Sequence, residues 1–202
     1  MMQTARLVLA SHNAGKLAEL RALLAPAGIE VLAQSQFGIG EIEETGATFV
    51  ENALLKARHA SRISALPALA DDSGLCVDAL GGAPGLHSAR YAGADGDARA
   101  NFLKLLDALA AVPDAHRGAH FHCTLALLRH PEDPAPLLCE GRWRGRILHE
   151  PQGEGGFGYD PVFLDETLGQ SAAELGREEK SAVSHRGQAL RQLLAALAHQ
   201  PL

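Results

Sequence analysis

Two carboxylates stand side by side in "ALADDSGLCVDAL", residues 68–80, at the end of an apolar run. They are Asp71 and Asp72. Adjacent like charges repel, and burial raises the cost of ionising either one. Such a pair is either a solvated turn or a place that holds something positive. Glu43 and Glu44 form a second acidic pair just before "TGATFVENALLKARHA". Hard oxygen ligands of this kind suit Mg²⁺, which keeps several waters and leans on substrate phosphates. Glu43 and Glu44 alone read as a solvated turn. The Asp pair reads as sitting at a strand end, where ligands bind in α/β sheets, with Ser73 and Gly74 making a tight turn after it.

Other segments offer complementary chemistry. "SHNAGKL", residues 11–17, places a short loop between a strand and a helix N-terminus, where backbone N–H groups and the helix dipole favour an anion. Ser11 and Asn13 can donate and Lys16 adds charge, yet Asn13 reads equally well as a plain helix cap. The loop lacks the G-x-x-x-x-G-K-[ST] spacing of a Walker A motif. Lys56, Arg90, Lys180, His185 and Arg186 are scattered cations, but "EEKSAVSHRGQAL" gathers Lys180, His185 and Arg186 before an apolar helix. His donates to carbonyls, and Arg donates from a planar fork. "EGGFGYDP" is Gly-rich and carries Phe157, Tyr159 and Asp160; its aromatic ring could lie against a flat base, or fill a core behind a hairpin loop. His120 and His122 share a strand face, but no third ligand is suggested by spacing, so they read as solvated.

The elements that must position these groups follow from the hydrophobic pattern. Residues 5–10 predict a buried strand. Residues 17–28 predict a helix with Leu17, Leu20, Leu23 and Leu24 on one face, stopped by Pro26 and Gly28. Residues 29–33 predict a second strand, parallel to the first across that helix. Thr48 and Glu51 have capping-box spacing and start a helix at Phe49, with Phe49, Val50, Ala53, Leu54, Ala57 and Ala60 inward. Asn52, Lys56 and His59 make a polar stripe on it. A helix passes through residues 101–110. Alternation in "AHFHCTLALL" predicts a strand with one face buried, paired antiparallel with residues 137–148 across a Pro-rich turn. Capping-box spacing at Ser171 and Glu174 precedes a C-terminal helix with Leu190, Leu193, Leu194 and Leu197 inward. The sum is an α/β fold with a mixed β-sheet flanked by helices.

Composition bounds the rest. The 202 residues are 47% hydrophobic and 21% charged, which suits a single domain over 1–202 with a sizeable core. The formal net charge of -6 provides no basic field for a nucleic-acid polymer. Cys76, Cys123 and Cys139 lie far apart without zinc spacing, and read as buried thiols in a reducing compartment. The first apolar run is too short for a signal peptide or a membrane span, so the expected location is cytoplasmic.

"SHNAGK", "EETGATFVENALLKARHA", "ADDSGLCVDALGGAPGLHSARYAG", "GGFGYDPVF" and "EEKSAVSHRGQAL", taken in that order, resemble the inosine triphosphate pyrophosphatase (RdgB/Ham-like) family. The match runs from Ser11 to Leu190, and the Asp-Asp-Ser-Gly and Ser-Ala-Arg-Tyr elements are its most specific part. The resemblance implies an elongated mixed sheet with helices in two lobes around a central cleft, and a homodimer. It implies Mg²⁺-dependent hydrolysis of ITP, dITP and XTP to the monophosphate and pyrophosphate, cleansing the nucleotide pool. Carried over by position, Ser11, His12, Asn13, Ala14, Gly15 and Lys16 would hold the triphosphate. Glu44 and Asp72 would serve the metal, with Asp72 also the proton acceptor. Ser73 would contact substrate, and Lys56 would help neutralise the departing charge. Phe157, Gly158, Tyr159, Asp160, Lys180, His185 and Arg186 would hold phosphate and base. Asp71 is assigned support, as a further ligand or an orienting neighbour, and Asp78 a structural place. A pyrophosphatase for pyrimidine or modified nucleotides, and a nucleotide sensor that does not hydrolyse, are the competing readings.

Overall fold

In the computed structural model, residues 5–93, 96–200 and 202 are described. Seven strands form one sheet in the order β2-β1-β3-β4-β5-β6-β7. They are β1 Ala5–Ala10, β2 Ile29–Ala33, β3 Ala68–Val77, β4 Gly118–Leu128, β5 Leu137–Ile147, β6 Phe163–Asp165 and β7 Gln170–Ser171. The helices are α1 Ala14–Leu24, α2 Phe49–Ser64, α3 Ala98–Ala108, α4 Arg177–Val183 and α5 His185–His199. β1 pairs parallel with both β2 and β3, whereas β6 pairs antiparallel with β5 and β7, so the sheet is mixed as expected. Among the described residues no helix is long and apolar enough to cross a membrane.

The chain divides into two compact units. The first comprises Met1–Asp72, Cys123–Glu140 and Ala189–Leu202. Strand periodicity explains its layers, because successive side chains leave opposite faces. Leu7, Leu9, Leu69, Cys123, Leu125 and Leu127 pack with Leu20 and Leu24 of α1 and with Leu190, Leu193 and Leu197 of α5. Val8, Ala10, Ala68, Ala70, Ala126 and Leu128 face the other way, onto Ala53, Ala57 and Ala60 of α2. The small alanines let α2 lie close to the sheet. Covering both faces also corrects the expectation for β4: from Phe121 onward every residue of the strand is buried, His122 and Thr124 included. An inner strand, between β3 and β5, has no solvated face to offer.

The second unit comprises Ser73–His122 and Gly141–Gln188. Its core gathers Leu75, Val77, Leu105, Leu109, Phe121, Trp143, Ile147, Tyr159 and Phe163. Arg117 lies inside it, 1% exposed. Its guanidinium donates to the carbonyls of Leu109, Ile147 and Leu148 at 2.7–2.8 Å and to that of Val112 at 3.4 Å. These carbonyls lie at the ends of α3 and β5, where regular backbone partners run out; that of Leu109 also accepts from Val112 N–H at 3.0 Å.

Two expected boundaries differ. Ser73 and Gly74 make no turn; β3 continues extended through both to Val77, and the acidic pair sits in mid-strand. Apolar Leu75 and Val77 beyond the pair resume core packing, which keeps the strand going. Ser171 and Glu174 do form the expected side-chain contact, Ser171 N–H to Glu174 Oε2 at 2.8 Å, but it closes a turn after β7 rather than opening a helix. The helical run begins at Arg177, with Glu179 accepting from Gly176 N–H, and breaks at Ser184 before α5 resumes at His185.

Arg117→Met removes four hydrogen bonds to buried carbonyls. Unsatisfied buried acceptors cost about 1–3 kcal/mol each, so a loss of at least ~3 kcal/mol is expected. A thermal melt should show a midpoint lower by roughly 6 °C or more; an unchanged midpoint would remove Arg117 from this role.

Candidate active site

The acidic pair is built by the strand itself. Leu69 and Asp71 leave β3 on the α1 face, and Ala70 and Asp72 on the α2 face. Each carboxylate meets its own lysine. Lys16, in the first turn of α1, places Nζ 2.5 Å from Asp71 Oδ1. Lys56, midway along α2, places Nζ 2.6 Å from Asp72 Oδ1 and 2.9 Å from Glu44 Oε1. Both ammonium groups also approach the Asp71 carbonyl, Lys56 at 3.2 Å and Lys16 at 3.5 Å. Asp71's side chain is fully buried, while those of Asp72 and Glu44 are 11% and 23% exposed.

Glu44 reaches this cluster from an irregular segment anchored to the start of α2. Asn52 Oδ1 accepts from Gly46 N–H at 2.8 Å, and Glu51 Oε2 from Ala47 N–H at 2.7 Å. Asn52, one of the polar stripe on α2, is buried where it does this. Gly46 is needed because a Cβ there would come within 2.6 Å of the Asn52 side chain. At the other lysine, Asn13 caps α1: its Oδ1 accepts from Lys16 N–H at 3.1 Å, and Ser11 Oγ accepts from Asn13 N–H. The plain cap reading of Asn13 is therefore realised within the loop that carries Ser11, His12, Ala14, Gly15 and Lys16.

Burial raises the Asp72 pKa above the usual carboxylate range, and Glu44 adds to the rise; the charge and hydrogen bond of Lys56, and the charge of Lys16, oppose it without cancelling it. For Lys56, burial works against the ammonium, but Asp72 and Glu44 outweigh it, and its pKa stands above the ordinary lysine value. The pair therefore shares a strongly bound positive charge at neutral pH.

The second unit carries an aromatic and cationic cluster. Phe157 projects from the Gly-rich loop, 56% exposed. Lys180 Nζ lies 4.9 Å from its ring centre and Arg186 Cζ 5.7 Å. Asp160 ties the loop down: its Oδ2 accepts from Phe157 N–H at 2.6 Å and from Lys180 Nζ at 2.5 Å. Tyr159 points inward, and its hydroxyl donates to the Ser88 carbonyl at 2.8 Å. Burial pushes the Tyr159 phenol far above its ordinary pKa. Tyr159 and Asp160 thus hold the loop from behind, while Phe157 is its exposed ring.

His185 and Arg186 open α5 and are 7% and 4% exposed. The His185 ring stacks on Phe121, centroids 4.9 Å apart and planes at 13°, with Trp143 behind at 6.5 Å and 16°. Trp143 is itself pinned, Nε1 donating to buried Asp165 Oδ2 at 2.7 Å. α5 approaches β5 so closely that a Cβ on Gly141 would stand 1.9 Å from the His185 carbonyl. Phe121, Trp143, Asp165 and Gly141 were not among the candidate residues. Phe121, Trp143 and Gly141 lie on β4 and β5, where strand alternation marks core and does not say what rests on it; Asp165, on β6, carried no signal. The structure thus brings Glu44, Lys56 and Asp72 together, and separately Lys16 with Asp71; in the second unit it brings Phe157, Asp160, Lys180 and Arg186 together. Ser73 lies next along β3, half-buried, and Gly158 sits within the loop.

The Ham1 family profile matches residues 7–196, and the chain belongs to that family. A protein of Shigella flexneri named dITP/XTP pyrophosphatase is 59% identical over 95% of this chain and 98% of its own. One of the same name from Escherichia coli (strain K12) is 58% identical over the same shares. Among solved structures, a HAM1 protein from Coxiella burnetii superposes with a TM-score of 0.92 at 51% identity, covering 96% of this chain and 99% of that one. The Staphylococcus aureus Ham1 protein gives 0.87 at 37% identity, with the same coverage.

The donor set suits a hard cation. No group of three or more His, Cys, Asp and Glu arranged for a metal occurs among the described residues. Mg²⁺ asks for less, one or two carboxylates completed by water and phosphate. Asp72 and Glu44 both turn an oxygen toward one point, at present the Lys56 ammonium.

Asp72 is expected to titrate above the usual carboxylate range, and higher still in Lys56→Met, because that ammonium is the main force opposing burial. Carboxyl carbon chemical shifts followed against pH measure both; a downward move in the variant would contradict the assignment.

Proposed function

We propose that this protein hydrolyses deaminated purine nucleoside triphosphates, ITP, dITP and XTP, to the monophosphate and pyrophosphate in a Mg²⁺-dependent reaction. The observation that carries the chemistry is one lysine, Lys56 of α2, shared by two carboxylates, Asp72 of β3 and Glu44 from the segment before α2, with the Lys16–Asp71 pair beside it. The names of relatives 58–59% identical over nearly the whole chain support the substrate class. Cleansing of the nucleotide pool, a homodimeric state and a cytoplasmic location belong to the same reading and are supported by family membership.

Water adds to the α-phosphorus, the bond to the α,β-bridging oxygen breaks, and pyrophosphate leaves. Such transfer is governed by positioning and by stabilising charge. Asp72 and Glu44 would hold Mg²⁺, which when bound supplies charge to phosphate oxygens and lowers the pKa of a water. Asp72 accepts the proton from the attacking water. Its raised pKa makes it a stronger base than an ordinary carboxylate, with Lys56 opposing the rise. Lys16 and Lys56 offset the charge of the phosphates, with the residue 11–16 loop around them at the α1 N-terminus.

The base is assigned to the second cluster. Phe157 offers an exposed ring face for stacking. Arg186 and His185 donate to a 6-oxo group, whereas a 6-amino group would set donor against donor. A site built to hydrogen-bond one group rejects its analogue by as much as ~10⁴-fold in favourable cases.

Pyrophosphate release from ITP, XTP, dITP, GTP, ATP and UTP, with Mg²⁺ and with chelator, tests the reading. Release confined to the deaminated purines and abolished by chelator is expected; a pyrimidine preference, or binding without release, would replace it. Asp72→Asn should remove most turnover while ITP binding remains detectable by calorimetry, and wild-type rates would end the assignment. Arg186→Ala should raise KM for ITP and narrow its advantage over ATP; an unchanged ITP:ATP ratio would take Arg186 out of base recognition.

A further inference from the structure

We infer that Asp71 is a positioning residue for Lys16 and not a ligand of the metal. Asp71 and Asp72 are consecutive on an extended strand, so their carboxylates leave opposite faces and do not turn to one ion. Asp72 shares Lys56 with Glu44, whereas the Lys56 ammonium meets Asp71 at its backbone carbonyl, 3.2 Å away. Its Oδ1 takes the Lys16 ammonium at 2.5 Å, and its Oδ2 faces the Cys123 thiol at 3.8 Å. Both oxygens are thus engaged on the α1 side, and the side chain is fully buried. Lys16 needs such a tether. It stands in the first turn of α1, where the helix dipole repels a cation, and no acidic side chain occupies that turn. A long, flexible side chain there would swing to solvent unless an anion held it. Asp71 supplies the anion from below, so that the ammonium stays beside the residue 11–16 loop to receive pyrophosphate. The assignment rests on the phosphate chemistry proposed above.

The test is a double-mutant cycle in the full-length protein with Asp71→Asn, Lys16→Met and both together. The readouts are kcat and KM for ITP, the Mg²⁺ activation constant, and the affinity for inorganic pyrophosphate with Mg²⁺ by calorimetry. Losing a well-placed charged hydrogen bond corresponds to a weakening of roughly tenfold or more. Asp71→Asn should therefore raise KM and weaken pyrophosphate by about that factor, with the Mg²⁺ constant within about twofold of wild type. The double variant should be no worse than Lys16→Met alone, because residues that act as one unit are not additive. A Mg²⁺ constant that rises with Asp71→Asn in both backgrounds would make Asp71 a ligand. Effects that multiply in the double variant would make it independent of Lys16. Either result overturns the inference. If Asp71→Asn does not fold, Asp71→Glu, which keeps the charge and displaces it, should shift pyrophosphate affinity without shifting the Mg²⁺ constant. Calorimetry needs no turnover, so a wild type inactive on ITP would refute the proposed activity while Asp71 is still judged by pyrophosphate binding.

Discussion

Side chains alternate along an extended strand, and β3 obeys that rule through two consecutive buried carboxylates. Asp71 is sealed from solvent and Asp72 nearly so, and each carboxylate looks onto a different layer. Leaving a charge in a protein interior without a partner costs several kcal/mol after relaxation. Each face must therefore bring its own cation, and the two helices that cover the sheet do so. α1 brings Lys16 to Asp71, and α2 brings Lys56 to Asp72. The alanine-rich packing of α2 and the leucine packing of α1 set how near each lysine comes to the strand. Glu44 completes the arrangement on the α2 side only, because its segment is fastened to the first turn of α2 by Asn52 and Glu51. The two sides consequently differ in kind. One has two carboxylates around a cation, partly open to solvent; the other has a single carboxylate sealed against a lysine and a thiol.

The second unit solves a different problem, that of holding flat and planar groups still. His185 and Arg186 begin a helix, where side chains would otherwise be mobile. The His185 ring is laid on Phe121 with Trp143 beyond it, and Trp143 is fixed by a buried carboxylate. Gly141 allows the helix start to come down onto β5 at all. In the Gly-rich loop the division of labour is equally plain. Tyr159 and Asp160 hold the loop by a buried hydroxyl and a carboxylate clasp, which leaves Phe157 presented with cations on it. Rigid support behind and an exposed ring in front suit recognition of an aromatic base under the proposed reading.

Much of this was legible beforehand. The β1–α1–β2 unit, the α2 start at Thr48 and the leucine faces of α1 and α5 follow from period and capping, which are local. Glu44, Lys56 and Asp72 were named in advance and do meet. The misreadings share one cause. Ser73-Gly74 has turn chemistry, and Ser171 with Glu174 has cap chemistry, but local preference yields when neighbouring apolar residues gain more from continued packing, or when the partner that closes the motif is not a helix. His122 was read as solvated for the same reason: polarity predicts exposure only if no partner waits inside.

By itself the sequence determined the class of fold, the order of its elements and the residue types able to handle phosphate, metal and base, because periodicity, caps and motif spacing are properties of a few neighbouring residues. Only the tertiary structure decided which carboxylate goes with which lysine, that Tyr159 faces inward, and that Phe121, Trp143 and Gly141 support His185. Those assignments depend on strand register, on which helix covers which face, and on approaches between segments tens of residues apart. No local pattern encodes them; they are set when the layers close and each buried charge must find the one partner that its own face provides.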